Sequence, residues 1–245
     1  MTSLNLSQQN LIRFEIKGEY AIAYSENLEP ETFSLVGVTS LDCSFNQLTS
    51  LPLLPEELQE LNCSHNQLTS LPLLPAGLQE LNCSHNRLTG LPLLPEGLKR
   101  LYCYEDHLLD LPSLPEGLEV LDCSDNQLTS LPLLPKGLER LYCYDNQLTS
   151  LPLLPEGLKK LHCFDNRLSD LILLPKRLEE LDCSKNPLRY VPFLKENPSY
   201  ISVPNSFENA HSRKNYQEGY RLQEINRYLF LTFFTELGIQ LDFLA

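Results

Sequence analysis

Leu78-Gln79-Glu80-Leu81-Asn82-Cys83-Ser84-His85-Asn86-Arg87-Leu88-Thr89-Gly90-Leu91-Pro92-Leu93-Leu94-Pro95-Glu96-Gly97 is one copy of a unit that recurs along the chain, and the alternation inside it decides the fold. Leu81 and Cys83 occupy every second place, with Glu80, Asn82 and Ser84 around them. Successive side chains of an extended chain point to opposite faces, so this stretch is a short strand buried on one side. Asn86 ends it, and its amide, both donor and acceptor, suits a bridge between backbone groups of adjacent coils. In the return path, Leu91-Pro92-Leu93-Leu94-Pro95, two prolines remove backbone donors and hold the chain extended, so no helix fits there. Gly97, like Gly77, Gly117, Gly137 and Gly157 at the same place in other copies, is expected to supply the backbone freedom for the turn into the next strand.

The cysteines set the ruler: eight of them, at 43, 63, 83, 103, 123, 143, 163 and 183, fall one every 20 residues. Aligned on them the copies read L-x-x-L-x-C-x-x-N-x-L-x-x-L-P-x-L-P-x-G, the pattern and period of leucine-rich repeats. The expected architecture is a leucine-rich repeat solenoid with a parallel β-sheet on its concave face and extended, polyproline-like convex segments. Eight strands spaced about 4.8 Å make a surface on the order of 35 Å long. No copy buries its leucines alone, so the array needs end caps.

Three regions follow: an N-terminal β cap over residues 1–35, eight 20-residue repeats over 36–195, and a loop with a C-terminal helical cap over 196–245. In the first, alternating apolar residues on either side of Lys17-Gly18-Glu19 predict a hairpin. In the last, residues 197–209 read as loop. Tyr220, Ile225, Leu229, Phe233 and Leu237 then predict a helix over 215–237 that ends at Gly238. That helix either covers the last repeat or, with Phe230, Phe233, Phe234 and Phe243, forms a separate docking element.

A formal charge of −13 and a pI near 4.8 argue against general affinity for nucleic acid or anionic membranes. Arg13, Glu15 and Lys17 interrupt the amino-terminal apolar residues, unlike a classical signal peptide, and the apolar run Tyr228 to Phe234 is too short to span a bilayer. A soluble monomer without membrane insertion is expected. Cysteines stacked in register are poorly aimed for bridging and pack as small apolar residues, which favours structural thiols in a reducing compartment over disulfides. No Cys-x-x-Cys pair suggests a metal, and no cysteine is left over to act as an exposed nucleophile, so neither cofactor nor enzyme is expected. His65 and His85, about 5 Å apart on neighbouring strands, are too few for a metal site and read as rim residues open to a partner.

The outward positions, which the fold does not dictate, carry the candidate site. Between Ser34 and Arg189 every aromatic residue lies at or beside them: Phe45, Tyr102, Tyr104, Tyr142, Tyr144 and Phe164. Arg100, Arg140, Lys160 and His162 stand among them, and copy five interrupts the patch with Val120, Asp122 and Ser124. Tyrosine beside arginine is the composition of protein-binding hot spots, so these residues are the expected partner-binding surface; the competing reading is that aromatics simply suit strands and stack across a sheet. Asp106 replaces the bridging asparagine in copy four and, unable to donate as an amide does, is expected to weaken the ladder there.

The Leu-Pro-x-Leu-Pro return path and the 20-residue period resemble the LPX class of bacterial leucine-rich repeats, found in effectors that pathogens inject into host cells, including the YopM and IpaH types. Two departures stand out: the amino terminus reads as strands where those types place helices, and the roughly 50 residues after the array hold no cysteine for the ubiquitin-ligase domain of the IpaH type. The resemblance implies a non-enzymatic scaffold that binds a host protein in the host cytoplasm after specialised secretion. Alternatives are a substrate adaptor for a ubiquitin ligase or kinase and a structural repeat protein that stays in the bacterial cytoplasm.

Overall fold

A computed structural model describes residues 2–26, 28–171, 174–189 and 199–202. The helix expected over 215–237 lies outside them. The cysteine-bearing copies each contribute one strand: β5 (Val38–Asp42), β6 (Glu60–Asn62), β7 (Glu80–Asn82), β8 (Arg100–Tyr102), β9 (Val120–Asp122), β10 (Arg140–Tyr142), β11 (Lys160–His162) and β12 (Glu180–Asp182). They pair in parallel in chain order, without a crossover and without a register slip, so that Leu41, Leu61, Leu81 and their successors stand directly beside one another. Identical 20-residue lengths leave no other register that keeps every leucine inside.

Two strands extend this sheet beyond the repeats. β1 (Thr2–Asn5) pairs in parallel with β5, and β13 (Tyr200–Ser202) pairs in parallel with β12. The second falls inside the stretch read from sequence as loop; its backbone continues the coil, with Cys183 N–H donating to Ser202 O at 2.9 Å. β2 (Leu11–Lys17), β3 (Tyr20–Ser25) and β4 (Glu31–Ser34) form a separate antiparallel sheet, with the β2–β3 turn at Gly18.

The interior is a file of leucine and cysteine. Leu61, Leu81, Leu101, Leu121, Leu141, Leu161 and Leu181 are buried, as are all eight cysteines, which carry free thiols. At the amino-terminal end Leu6, Leu11, Phe14, Ala21 and Ala23 close this core. Asn46 locks that closure in place: its Oδ1 accepts from Leu11 N–H at 2.9 Å and its Nδ2 donates to Leu6 O at 2.8 Å.

Each asparagine of the ladder does the same between coils. Asn86 Oδ1 accepts from Leu68 N–H at 2.9 Å, and its Nδ2 donates to Cys63 O, Cys83 O and Ser84 O at 3.1, 2.8 and 3.2 Å. One buried side chain thus bonds four backbone groups of two adjacent coils beyond the ends of their three-residue strands.

The turn chemistry differs from the sequence expectation. Gly77, Gly97, Gly117, Gly137 and Gly157 do not lie at positive φ; among the described glycines only Gly18 and Gly37 do. The left-handed position is the residue before the ladder asparagine, occupied by Phe45, His65, His85, Glu105, Asp125, Asp145, Asp165 and Lys185, all with φ between 48° and 54°. There the chain leaves the strand and curls, and the main chain of the curl is held by bonds such as His85 N–H to Tyr104 O at 2.9 Å. At the glycine column a Cβ would meet only ordinary contacts, 3.7 Å from Ala76 O at Gly97, and Glu57 and Arg177 already occupy equivalent places.

Candidate interaction surface

Register turns the outward side chains into rows across the sheet. One row runs Glu80, Arg100, Val120, Arg140, Lys160, Glu180, and the next Asn82, Tyr102, Asp122, Tyr142, His162, Asp182. The residues two places further on form a third: Ser84, Tyr104, Ser124, Tyr144, Phe164 and Ser184. Most of the smaller members of this third row are not at the surface. Ser44, Ser64, Ser84 and Ser124 are buried, because the chain curls immediately after the cysteine and the Ser84 N–H and hydroxyl turn back onto Asn82 Oδ1 at 3.2 and 2.7 Å.

The structure brings the rings into two groups. Tyr144 stacks on Phe164, centroids 4.5 Å apart and 5° from parallel, and Tyr142 meets His162 edge-on at 5.1 Å. His162 also faces Tyr200 at 6.5 Å, so β13 extends this group. The second group was only partly visible in the sequence. Phe45 stacks on His65 at 4.0 Å, His65 on His85 at 3.8 Å, and Tyr104 closes the file edge-on to His85 at 5.1 Å. The two histidines are therefore the middle of an aromatic file across copies one to four. The signal for it was the shared spacing of 45, 65 and 85, the same column three times. Burial, and after it the neighbouring His85, hold the His65 imidazole below its ordinary pKa, which favours its neutral form.

Tyr102, Tyr104, Tyr142, Tyr144 and Phe164 are all half-buried, standing on the sheet with one side open. Burial raises the phenols of Tyr102 and Tyr144, leaving them as neutral hydrogen-bonding tips. Copy five, which breaks the run in sequence, is well covered: Val120 is only 7% exposed although its row faces outward.

The cations are not equivalent. Arg100 Nε donates to Glu80 Oε2 at 2.6 Å, and Lys160 Nζ to Glu180 Oε1 at 2.7 Å. Arg140 is exposed and has no ion pair among the described residues. Lys185 pairs with Asp165 Oδ2 at 2.8 Å while its Nζ lies 5.9 Å from the centre of the Phe164 ring. Beside the rings runs an acidic column, Glu105, Asp125, Asp145 and Asp165; Asp125 and Asp145 are raised, by burial first and then by their acidic neighbours.

Burial pushes the thiols of Cys43 and Cys183 up to about 12 and the others higher, so they stay protonated inside the solenoid. No group of three or more His, Cys, Asp or Glu side chains among the described residues is placed to hold a metal ion.

Residues 57–76 and 77–101 match the Leucine Rich Repeat family profile, and residues 116–156 match the profile for two copies of Leucine Rich repeats. Residues 57–101 and 116–156 are thus leucine-rich repeats, and the coils that carry them stack as one parallel-sheet solenoid. Such solenoids typically serve as non-enzymatic scaffolds for protein partners. Among solved structures, the leucine-rich repeat domain of a Shigella effector is 28% identical, with 83% of this chain and 82% of that one covered at a TM-score of 0.58. The functional domain of InlJ from Listeria monocytogenes, which includes a cysteine ladder, is 28% identical over 69% of this chain and 49% of its own, with a TM-score of 0.58. YopM, a leucine-rich effector protein from Yersinia pestis, is 27% identical over 81% of this chain and 65% of its own, with a TM-score of 0.53. The solenoid therefore spans about half of the InlJ domain and just under two thirds of YopM. No curated protein matches it.

Proposed function

We propose that this solenoid is a non-enzymatic scaffold that binds a host protein across its concave sheet, as a bacterial effector acting in the host cytoplasm. One observation carries the reading: rings are excluded from the repeat interior and gathered instead, half-exposed, in two groups on a sheet face otherwise built mainly of polar and charged residues. Neutral, half-buried tyrosines give large contact area with few bonds to immobilise, the property that makes them anchors in protein interfaces. Tyr102, Tyr104, Tyr142, Tyr144 and Phe164 form the centre of the contact. Arg140 is the cation best placed to meet an acidic group of the partner, while Arg100, Lys160 and His162 frame the rings, the first two already neutralised by glutamates. Similarity to the Shigella effector domain, which extends over most of both chains, supports delivery to a host.

The test is capture from host-cell lysate. Replacing Tyr102, Tyr104, Tyr142 and Tyr144 together by serine is expected to abolish capture of the specific partner while the thermal transition stays near its original value. Undiminished capture by a folded variant would reject this surface.

A further inference from the structure

We propose that Asp106 is a buried proton-binding site within the asparagine ladder: protonated, it completes the bonding between copies three and four, and ionised, it loosens that bonding beneath Tyr102 and Tyr104. The seven other ladder positions, 46, 66, 86, 126, 146, 166 and 186, are asparagines. Copy five shows what the amide does, Asn126 Nδ2 donating to Cys103 O, Cys123 O and Ser124 O at 2.8, 3.3 and 3.0 Å. Asp106 keeps only the accepting half of this arrangement, its Oδ1 taking the Leu88 N–H at 2.9 Å. Its Oδ2 occupies the place of the amide nitrogen and is buried without a hydrogen-bond partner, in a residue only 5% exposed.

Repeat equivalence puts that oxygen where Cys83 O, Cys103 O and Tyr104 O converge, three carbonyl acceptors. An ionised oxygen is repelled there and cannot reach water; a protonated one donates to a carbonyl and restores part of the missing ladder. The Asn86 backbone N–H lies near the carboxyl and favours the ion, yet makes no hydrogen bond to Oδ2. Burial outweighs both the Leu88 N–H bond to Oδ1 and this second N–H, and pushes the carboxyl from its ordinary 3.8 up to about 7. No cation offsets this. The titratable groups that feel Asp106 are the thiols of Cys63, Cys83 and Cys103, themselves held protonated. Its chain neighbours Glu105 and His107 are exposed, and Glu105 is engaged with His85 Nδ1 at 2.8 Å.

Because the folded value lies above the unfolded one, the folded chain holds an extra proton between about pH 4 and 7, and its stability falls as pH rises through that window and levels off beyond it. The experiment compares the full chain with Asp106→Asn, using amide hydrogen exchange at Leu88, corrected for intrinsic rate, and the Asp106 carboxyl resonance in carbon-13 spectra. The ratio of the two chains' opening constants at Leu88 is expected to widen roughly tenfold per pH unit below neutrality and then hold constant, with the asparagine variant the more protected. Leu148, two copies away, serves as the unaffected amide. A carboxyl that titrates below pH 5, or a ratio that does not change with pH, overturns the proposal. Should the variant not fold, the carboxyl titration of the unaltered chain decides alone.

Discussion

At the scale of single residues, the repeat divides its labour differently from what its composition suggests. Glycine at 77, 97, 117, 137 and 157 looks like the hinge of each coil, yet the left-handed backbone belongs to the residue before the ladder asparagine. A non-glycine residue there costs on the order of 1 kcal/mol, and aspartate, which takes three of the eight places, is among the types that tolerate it best. The glycine column, at ordinary φ with room for a Cβ, spends chain entropy without a steric need. Gly97→Ala is therefore expected to stabilise the solenoid by roughly 0.4–1 kcal/mol, seen as a higher urea midpoint at unchanged slope. A lower midpoint would mean that the turn does require glycine. Sequence reasoning placed the flexible joint on the residue type most permissive of it; backbone dihedrals, which residue identity only biases, place it elsewhere.

Strands of three residues are too short to be stable by themselves, and what makes them elements is the column each side chain shares with its neighbours. Leucine and cysteine columns were legible from alternation alone, since burying one face fixes the parity of every position. Thiol chemistry follows from that packing. Buried, unpaired and raised in pKa, the eight cysteines are expected to give no rapid reaction with Ellman's reagent at pH 8 in the native chain and to react in full once denatured. Prompt labelling of even one native thiol would reveal a coil that opens readily. The ring surface was legible in part. Tyr102 and Tyr142 stand on strands where alternation put them, and Tyr104, Tyr144 and Phe164, just after the cysteines, keep one side open; the file Phe45, His65, His85 sits one place further, on left-handed backbone where alternation no longer applies.

Across the whole molecule, each coil contacts only its neighbours, so stability is a chain of nearest-neighbour terms and damage stays near its origin. Phe14, 3% exposed, is the one buried ring of the amino-terminal cap, and Phe14→Ala is expected to cost roughly 3–5 kcal/mol at that end. Amide exchange should show protection lost at Leu48 and Leu68 and retained at Leu148 and Leu168. Equal loss along the array would mean that it unfolds as one unit. The period, the parity of each strand and the identity of the interior were determined by the sequence alone, because a 20-residue unit with one apolar face can bury that face only against copies of itself. Which outward groups remain available was decided by tertiary structure. Arg100 and Lys160 are neutralised by Glu80 and Glu180, their register neighbours 20 residues away, whereas Arg140 stands between Val120 and Lys160; it is the parallel register of adjacent coils, which no single copy encodes, that sets these partners side by side.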